Sequence, residues 1–341
     1  MVQDTPMHHP IRLAVIGAGK MAESFHLPAI KRYQYENPGS LELVGVSDPV
    51  PERGRPLTEK FGCGKWYSET TEMLNAVKPD AAYVLVPYRT VGIVSSQVLG
   101  KGIHTFMEKP PGMTALETEH LASLAREKGL ITIVGFNRRH QSAVKTARSW
   151  LENNGEPLQF IRGCKHRSGR IHEEYAMYTS IHSLDLILWF GGDITHMRQW
   201  REPIPNTSAY NFVVTFRFVS GALGMLTALP NVAYNQEVLE LHTSAETAVI
   251  DTQFGHKELD HLYFRVFKGE RLTEEKTFSL AEDRIVTEGF YGLTKSFLDA
   301  LRGGPAPYPS VEDCVMTMRL AEAMQKGMGW ESVAPTVERA K

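Results

Sequence analysis

Cysteine is scarce in this chain. Cys63, Cys164 and Cys314 are the only three in 341 residues, widely separated and in no Cys-x-x-Cys pair. Neither a disulfide framework nor a zinc cluster is expected, and no metal is assigned. An excess of charge of one sign is lacking too. The 37 Lys and Arg against 39 Asp and Glu give a formal net charge of −2, and no basic block escapes that average. Nucleic acid, whose phosphates demand a basic surface, is thereby excluded as a partner. Nowhere do 18 apolar residues follow one another, so no membrane-spanning helix is expected. Met1–Pro10 is polar and carries no apolar signal-peptide core. The expected location is the cytoplasm, whose reducing conditions suit isolated thiols.

What is present is the composition of a soluble globular protein, 42% hydrophobic and 22% charged. The length favours two domains. Ile11–Ile16 is a continuous apolar run that stops at Gly17, as in a strand buried on both faces. A helix over Met21–Lys31 follows, then a second apolar run, Leu41–Ser47, that ends at Asp48. Helices at Pro56–Phe61, Thr70–Val77, Val91–Lys101 and Thr114–Lys128 alternate with strands at Ala81–Val86, His104–Met107 and Ile131–Val134. This rhythm predicts a doubly wound α/β Rossmann domain over residues 1–137.

After Phe136 the rhythm changes. A helix at Gln141–Asn153, a strand at Leu158–His166 and a helix at Tyr178–Phe190 lead into a run of strands. These are Asn211–Val219, Ala222–Leu229, Glu237–Thr243, Thr247–Asp251 and His261–Phe267. Strands without intervening helices predict an α+β domain over residues 138–341 with a large, mostly antiparallel open sheet. Closing helices at Phe290–Leu301 and Val311–Lys326 can pack back on the first domain.

Gly17-Ala18-Gly19-Lys20-Met21-Ala22 reads G-x-G-x-x-A between a buried strand and a helix, the context that gives this pattern its meaning. The first glycine permits the turn, the second lets a diphosphate approach the backbone, and the small third residue lets the helix pack. Gly17, Gly19, Lys20 and Met21 are therefore expected at the cofactor, whose diphosphate suits a helix N-terminus. Asp48, ending the second strand, stands where a carboxylate binds the adenosine ribose. Its charge opposes a 2′-phosphate, so NAD is favoured over NADP, with Arg53 and Arg55 near enough to temper the preference. The polar stretch Lys31–Ser40 explains its distance from the glycine turn. Glu108-Lys109-Pro110 follows a strand at the edge where open α/β sheets bind ligands. A lysine there can hold a substrate hydroxyl and assist its proton movements, and Glu108 can fix the ammonium. Taken alone, such a tripeptide is usually a solvated turn.

Together these pieces resemble the glucose–fructose oxidoreductase and inositol dehydrogenase family (Gfo/Idh/MocA). AVIGAGKMA, VSDP, MEKPPG, VGFNRRH and IHSLDLILWFGGD stand in that family's order and approximate spacing over nearly the whole chain. The resemblance implies an NAD(P)-dependent oxidoreductase acting on a secondary alcohol or ketone of a sugar, cyclitol or related polyol. It places Lys109 at the nicotinamide with a cis peptide to Pro110, and Pro87 can line the same place. Gly17, Gly19 and Asp48 would hold the adenosine half. Asn137 and Arg138 would face the substrate cleft, unless the arginine pair only braces the domain junction. The general acid/base it implies is His182, whose side-chain type titrates near neutrality. Asp185 lies one turn beyond and is counted with the substrate. A homo-oligomer, dimer or tetramer, formed through the C-terminal sheet is also implied.

Two departures from the pattern stand out. Tyr178 occupies the position four before His182 where the dehydrogenases usually carry Asp. A tyrosine hydroxyl, with an ordinary pKa of about 10, can relay a proton but does not replace a carboxylate base. His172 and Tyr175 are near enough to fill that gap or to line the entrance. Pro87-Tyr88-Arg89 replaces the Pro-Asn-x-x-His of relatives, where Arg89 is either an anion-binding group or a solvated cation. The family also contains regulatory members, which leaves a non-catalytic dinucleotide- and sugar-sensing protein as the alternative. Retention of both Lys109 and His182 favours the enzyme.

Overall fold

The computed structural model describes residues 9–254 and 259–331. The chain divides into two compact units. One comprises the chain up to Ser142 together with Glu282–Met318, and the other comprises Ala143–Ala281 and the chain from Arg319 on. Among the described residues no helix is long and apolar enough to cross a membrane, and no cluster of His, Cys, Asp and Glu is suited to hold a metal.

The first unit is built on six strands: β1 (Ile11–Ile16), β2 (Leu41–Ser47), β3 (Lys65–Tyr67), β4 (Ala81–Val84), β5 (His104–Met107) and β6 (Thr132–Val134). They lie in the order β3-β2-β1-β4-β5-β6, every neighbouring pair parallel. Ile11, Leu13, Ala14 and Val15 of β1 and all four residues of β4 are fully buried, as strands covered on both faces require. The chain runs outward from β1 to β3 and then restarts at β4 on the other side. The order therefore reverses between β1 and β4, and their C-terminal ends open the crevice where such sheets bind ligands. Gly17 and Pro87 lie there.

The helix after β1 starts at Lys20, passes through a π-helical turn at Ala22–His26 and continues as an α-helix over Leu27–Glu36. It thus runs past Lys31, where the sequence pattern stops, and most of the polar Lys31–Ser40 stretch is helical. The reason is tertiary. Within the same unit the Phe290–Leu301 helix returns against it: the Phe25 and Phe290 rings stack at 4.5 Å. Tyr33 donates to Asp299 Oδ1 at 2.9 Å. Arg32 pairs with Asp283, and the Tyr291 hydroxyl donates to Glu36. Residues that the sequence shows only as a polar insertion are the partners of a segment some 250 residues away.

The second unit carries β7 (Phe160–His166), β8 (Ile194–Pro203), β9 (Tyr210–Phe218), β10 (Leu223–Leu229), β11 (Gln236–His242), β12 (Thr247–Asp251), β13 (His261–Lys268), β14 (Arg271–Ser279) and β15 (Trp330–Glu331). Among the described residues they form one sheet in the order β14-β13-β12-β11-β7-β10-β9-β8-β15. Only the β7–β10 pair is parallel. Burial alternates along β7, and the Ile181–Gly191 helix covers the face of Ile161, Gly163 and Lys165: a methyl on Gly163 would lie 2.9 Å from Ile187 Cδ1. Lys165 is buried on that face, and it shares the Glu237 carboxylate with Arg167.

The sequence pattern does not show β8 or β14. β14 is an edge strand whose Glu274, Glu275 and Lys276 interrupt any alternation, the charged composition that protects sheet edges from further pairing. β8 buries only Ile194 and Met197 and has an irregular register against β9.

Candidate active site

The glycine turn is fixed by its surroundings. Gly17 adopts φ +97° and donates its N–H to Ser47 O at 2.7 Å. A methyl there would lie 2.4 Å from the Leu85 carbonyl oxygen, so the chain leaving β4 passes too close for any side chain. Gly19 is different. A methyl on it would meet nothing within 4 Å, which leaves the backbone open to approach. The helix starting at Lys20 puts first-turn amides and the positive end of its dipole beside this opening. A diphosphate fits such a cradle.

Asp48 is buried, and both of its carboxylate oxygens are engaged: Oδ2 accepts from Ala18 N and Oδ1 from Val50 N, each at 2.9 Å. It thus ties the middle of the glycine turn to the end of β2. Arg53 Nε stands 3.9 Å from Oδ1, while the Arg55 guanidinium lies 4.8 Å over the Trp66 ring. Trp66 in turn donates to the Asp48 carbonyl at 3.1 Å.

At the other side of the crevice β5 ends at Met107, and Glu108 N donates to Val84 O at 3.0 Å. Glu108 Oε1 accepts from His26 Nε2 at 2.7 Å, and Oε2 accepts from the Lys109 amide at 3.1 Å. Burial alone would raise the Glu108 carboxyl, but the His26 bond and the charges of His26 and Lys109 outweigh it and hold the group below its ordinary range. Glu108 therefore does more than face the lysine's ammonium. Lys109 is half-buried and its peptide bond to Pro110 is cis. Pro87 is exposed, and its carbonyl accepts from Thr90 N and Oγ1, both at 2.8 Å. Arg89 Nε donates to the Tyr88 hydroxyl at 3.2 Å.

The depressed Glu108 fixes the sign of a pH effect. In the unfolded chain a glutamate titrates near about 4.3. The ionised, bonded form therefore adds stability that is fully present above that value and is lost as pH falls through the lower folded value. Chemical denaturation should find Glu108→Gln less stable than wild type at about pH 7, with the gap closing towards about pH 3. A gap independent of pH would contradict this.

Sequence reasoning missed His26. The available signal was a histidine six residues after Lys20 on the helix of the glycine turn. Nothing local joins it to Glu108, 82 residues on. Asn137 and Arg138 lie in a 3-10 turn, Asn137–His140, and both are buried. Asn137 Nδ2 donates to Glu288 O at 2.8 Å, and Arg138 Nη1 donates to Asn137 Oδ1 at 3.0 Å. The Arg139 guanidinium lies 4.8 Å from the Tyr308 ring centroid.

In the second unit the α-helix expected from Tyr178 begins at Ile181 and follows a π-helical turn, Ala176–Ser180, that carries Tyr178. His182 and Asp185 are both buried on the α-helix, while Tyr178 is half-buried. The His172 ring packs edge-on against Tyr178 at 5.7 Å, and its Nε2 lies 3.2 Å from Thr179 Oγ1. Tyr175 stands at the N-terminal end of the same π-helical segment. It is fully buried, its hydroxyl donates to Lys165 O at 2.8 Å, and burial pushes that hydroxyl's pKa up. Its hydroxyl thereby ties this segment to β7. Both π turns carry a residue of the candidate chemistry, His26 and Tyr178, in keeping with the frequent place of such turns at functional sites.

A parallel sheet in this order, with a glycine turn anchored by a carboxylate and a lysine at the same edge, defines a dinucleotide-binding domain of the oxidoreductase type. The comparison with known proteins agrees. Residues 11–136 match the Gfo/Idh/MocA model, described as "Oxidoreductase family, NAD-binding Rossmann fold". Over this region the chain is thus similar to the NAD-binding Rossmann domain of Gfo/Idh/MocA oxidoreductases. It is 32% identical over 144 residues to the D-glucoside 3-dehydrogenase of Escherichia coli K12, a stretch covering 42% of this chain and 40% of that protein. It is 27% identical over 248 residues to the scyllo-inositol 2-dehydrogenase (NAD(+)) of Bacillus subtilis 168, covering 68% of this chain and 71% of that one. The fold resembles a 3-ketoreductase from Actinomadura kijaniata in complex with NADP and TDP-benzene, with a TM-score of 0.77, 19% identity and coverage of 94% and 98%.

Proposed function

We propose that this protein oxidises a secondary alcohol of a sugar, cyclitol or related polyol, or reduces the matching ketone, with a nicotinamide dinucleotide as the hydride carrier. The observation that carries this reading is the shared crevice edge of the first unit, where the anchored glycine turn follows β1 and Lys109 follows β5, on either side of β4 in one parallel sheet. Gly17, Gly19, Lys20 and Met21 would hold the diphosphate, and Asp48 the adenosine ribose. Pro87, Glu108 and Pro110 would frame the nicotinamide end. Lys109 orients and polarises the reacting oxygen, as an ammonium does where charge develops on oxygen. His182 exchanges the hydroxyl proton, with Tyr178 as relay and Asp185 to orient it. Asn137 and Arg138 belong to the substrate side through the turn they brace.

The test is absorbance of the reduced nicotinamide with NAD and with NADP across a panel of sugars, sugar acids and cyclitols. Absence of turnover across the whole panel would sink the proposal.

NAD is the favoured cofactor in this reading. Asp48 is a buried carboxylate at the rim of the glycine turn, and Arg53 offsets it only from 3.9 Å. A unit charge repels another by about 1 kcal/mol at 4 Å even in water. Asp48→Asn keeps an acceptor for Ala18 N but removes the charge. It should shift the ratio of the Kd for NADP to that for NAD by about tenfold towards NADP. An unchanged ratio, measured by fluorescence titration, would argue against Asp48 as the discriminating group.

The reading also carries a cytoplasmic location and a homo-oligomer, dimer or tetramer, formed through the second unit's sheet. Its face opposite the Ile181–Gly191 helix holds half-buried Cys164, Met225, Val238 and Val249. Light scattering of the purified protein decides the oligomer.

A further inference from the structure

We propose that His26 is a positioning residue of this oxidoreductase site: it holds the Glu108 carboxylate, and through it the Lys109 segment, in register with the glycine turn that opens its own helix. The inference rests on the role proposed for Lys109.

His26 is fully buried. Its ring is walled by Phe106, Phe290 and Tyr83, with centroids at 5.0, 5.3 and 6.0 Å, all edge-on. The polar group it meets is Glu108, at 2.7 Å. A carboxylate can only accept here, so Nε2 carries the hydrogen. Nδ1 has no hydrogen-bond partner among the described residues. A residue serving the core alone would be apolar, because an unpartnered buried nitrogen is unfavourable. The polar edge is kept for its one bond.

That bond spans segments that the proposed chemistry must align. His26 lies on the π turn directly after the glycine turn, and Glu108 directly precedes Lys109. The second Glu108 oxygen accepts the Lys109 amide at 3.1 Å. From a third segment Gly135 leaves room for the carboxylate: a methyl on it would lie 3.0 Å from Glu108 Oε2. Clamped in this way, the carboxylate fixes the backbone from which Lys109 projects and keeps a negative charge beside it. Misplacing such a group by about 1 Å can lower a rate by about 100-fold without touching the chemistry itself.

The test uses the full chain with NAD and compares His26→Leu with His26→Gln, whose amide N–H can reach the same carboxylate. In His26→Leu, kcat should fall about 10- to 100-fold, with KM and the Kd for NAD within about threefold of wild type. His26→Gln should restore kcat to within about threefold. A purely structural role would show as a lowered melting temperature without this split and without rescue by Gln.

The second readout needs no turnover: acetylation of Lys109 by acetic anhydride, followed by mass spectrometry. The rate should rise severalfold in His26→Leu, as the ammonium loses its fixed negative neighbour, and return in His26→Gln. Should His26→Leu fail to fold, Glu108→Gln removes the carboxylate's charge outright and should raise the labelling likewise. Wild-type labelling in both His26→Leu and Glu108→Gln, or a folded His26→Gln as impaired as His26→Leu, would overturn the inference. If no sugar is turned over by the wild type, the proposed activity falls, and the labelling still decides the role of His26.

Discussion

Replacing Lys109 by alanine is expected to lower kcat by about 10²- to 10⁴-fold while leaving NAD binding within a few-fold of wild type. Lys109 is half-buried, follows the strand that ends at Met107, and has its amide tied to Glu108. Its ammonium is thus carried on a fixed backbone at the ligand-binding edge of the sheet, where a preorganised positive group stabilises charge that grows on oxygen during reaction. The proposed diphosphate cradle is separate, at Gly17–Met21, so the two losses should dissociate. Lys109→Arg keeps the charge on a longer, planar head and should recover little of the rate. Steady-state rates and a fluorescence titration of NADH on the same preparation make the check. A Lys109→Ala enzyme within tenfold of wild-type kcat would remove Lys109 from the mechanism.

The second large effect separates the two glycines of the turn. Gly17→Ala forces a side chain into φ +97° and 2.4 Å from the Leu85 carbonyl oxygen, against backbone that belongs to the sheet. Strain and overpacking together are expected to cost about 2–5 kcal/mol and to lower the melting temperature on the order of 10 °C. Gly19 is not among the glycines at positive φ, and a methyl on it meets no protein atom within 4 Å. Gly19→Ala should therefore melt within a degree or two of wild type, roughly. Its methyl nevertheless stands where a diphosphate would close on the backbone, so NAD affinity should fall at least about 30-fold, close to 2 kcal/mol. Thermal melts and cofactor titrations of the pair test both halves. Unchanged NAD affinity in Gly19→Ala would contradict the cradle.

Much of this was legible in the chain because it is local. The apolar runs Ile11–Ile16 and Leu41–Ser47 coincide with β1 and β2, since a strand buried on both faces needs no partner to reveal its pattern. The G-x-G-x-x-A turn, the lysine after β5 and the strand-rich second half follow from short-range spacing in the same way. The mostly antiparallel sheet was expected, and so was its separation from the parallel one.

What the chain left open depends on pairings between distant residues. Lys31–Glu36 became helix because Asp283, Tyr291 and Asp299 meet Arg32, Tyr33 and Glu36. β14 exists because β13 supplies hydrogen bonds to a segment too charged to announce itself. Nothing local to Tyr175 announced that its hydroxyl would bond to the Lys165 carbonyl. His26 gave no sign of its role until folding buried it against Glu108. Sequence by itself determined which residues can form strands, turns and a cofactor loop, since propensity and periodicity act over a few residues. Tertiary structure alone decided which polar groups satisfy one another, because a buried donor or acceptor takes whatever partner the packed chain brings within reach.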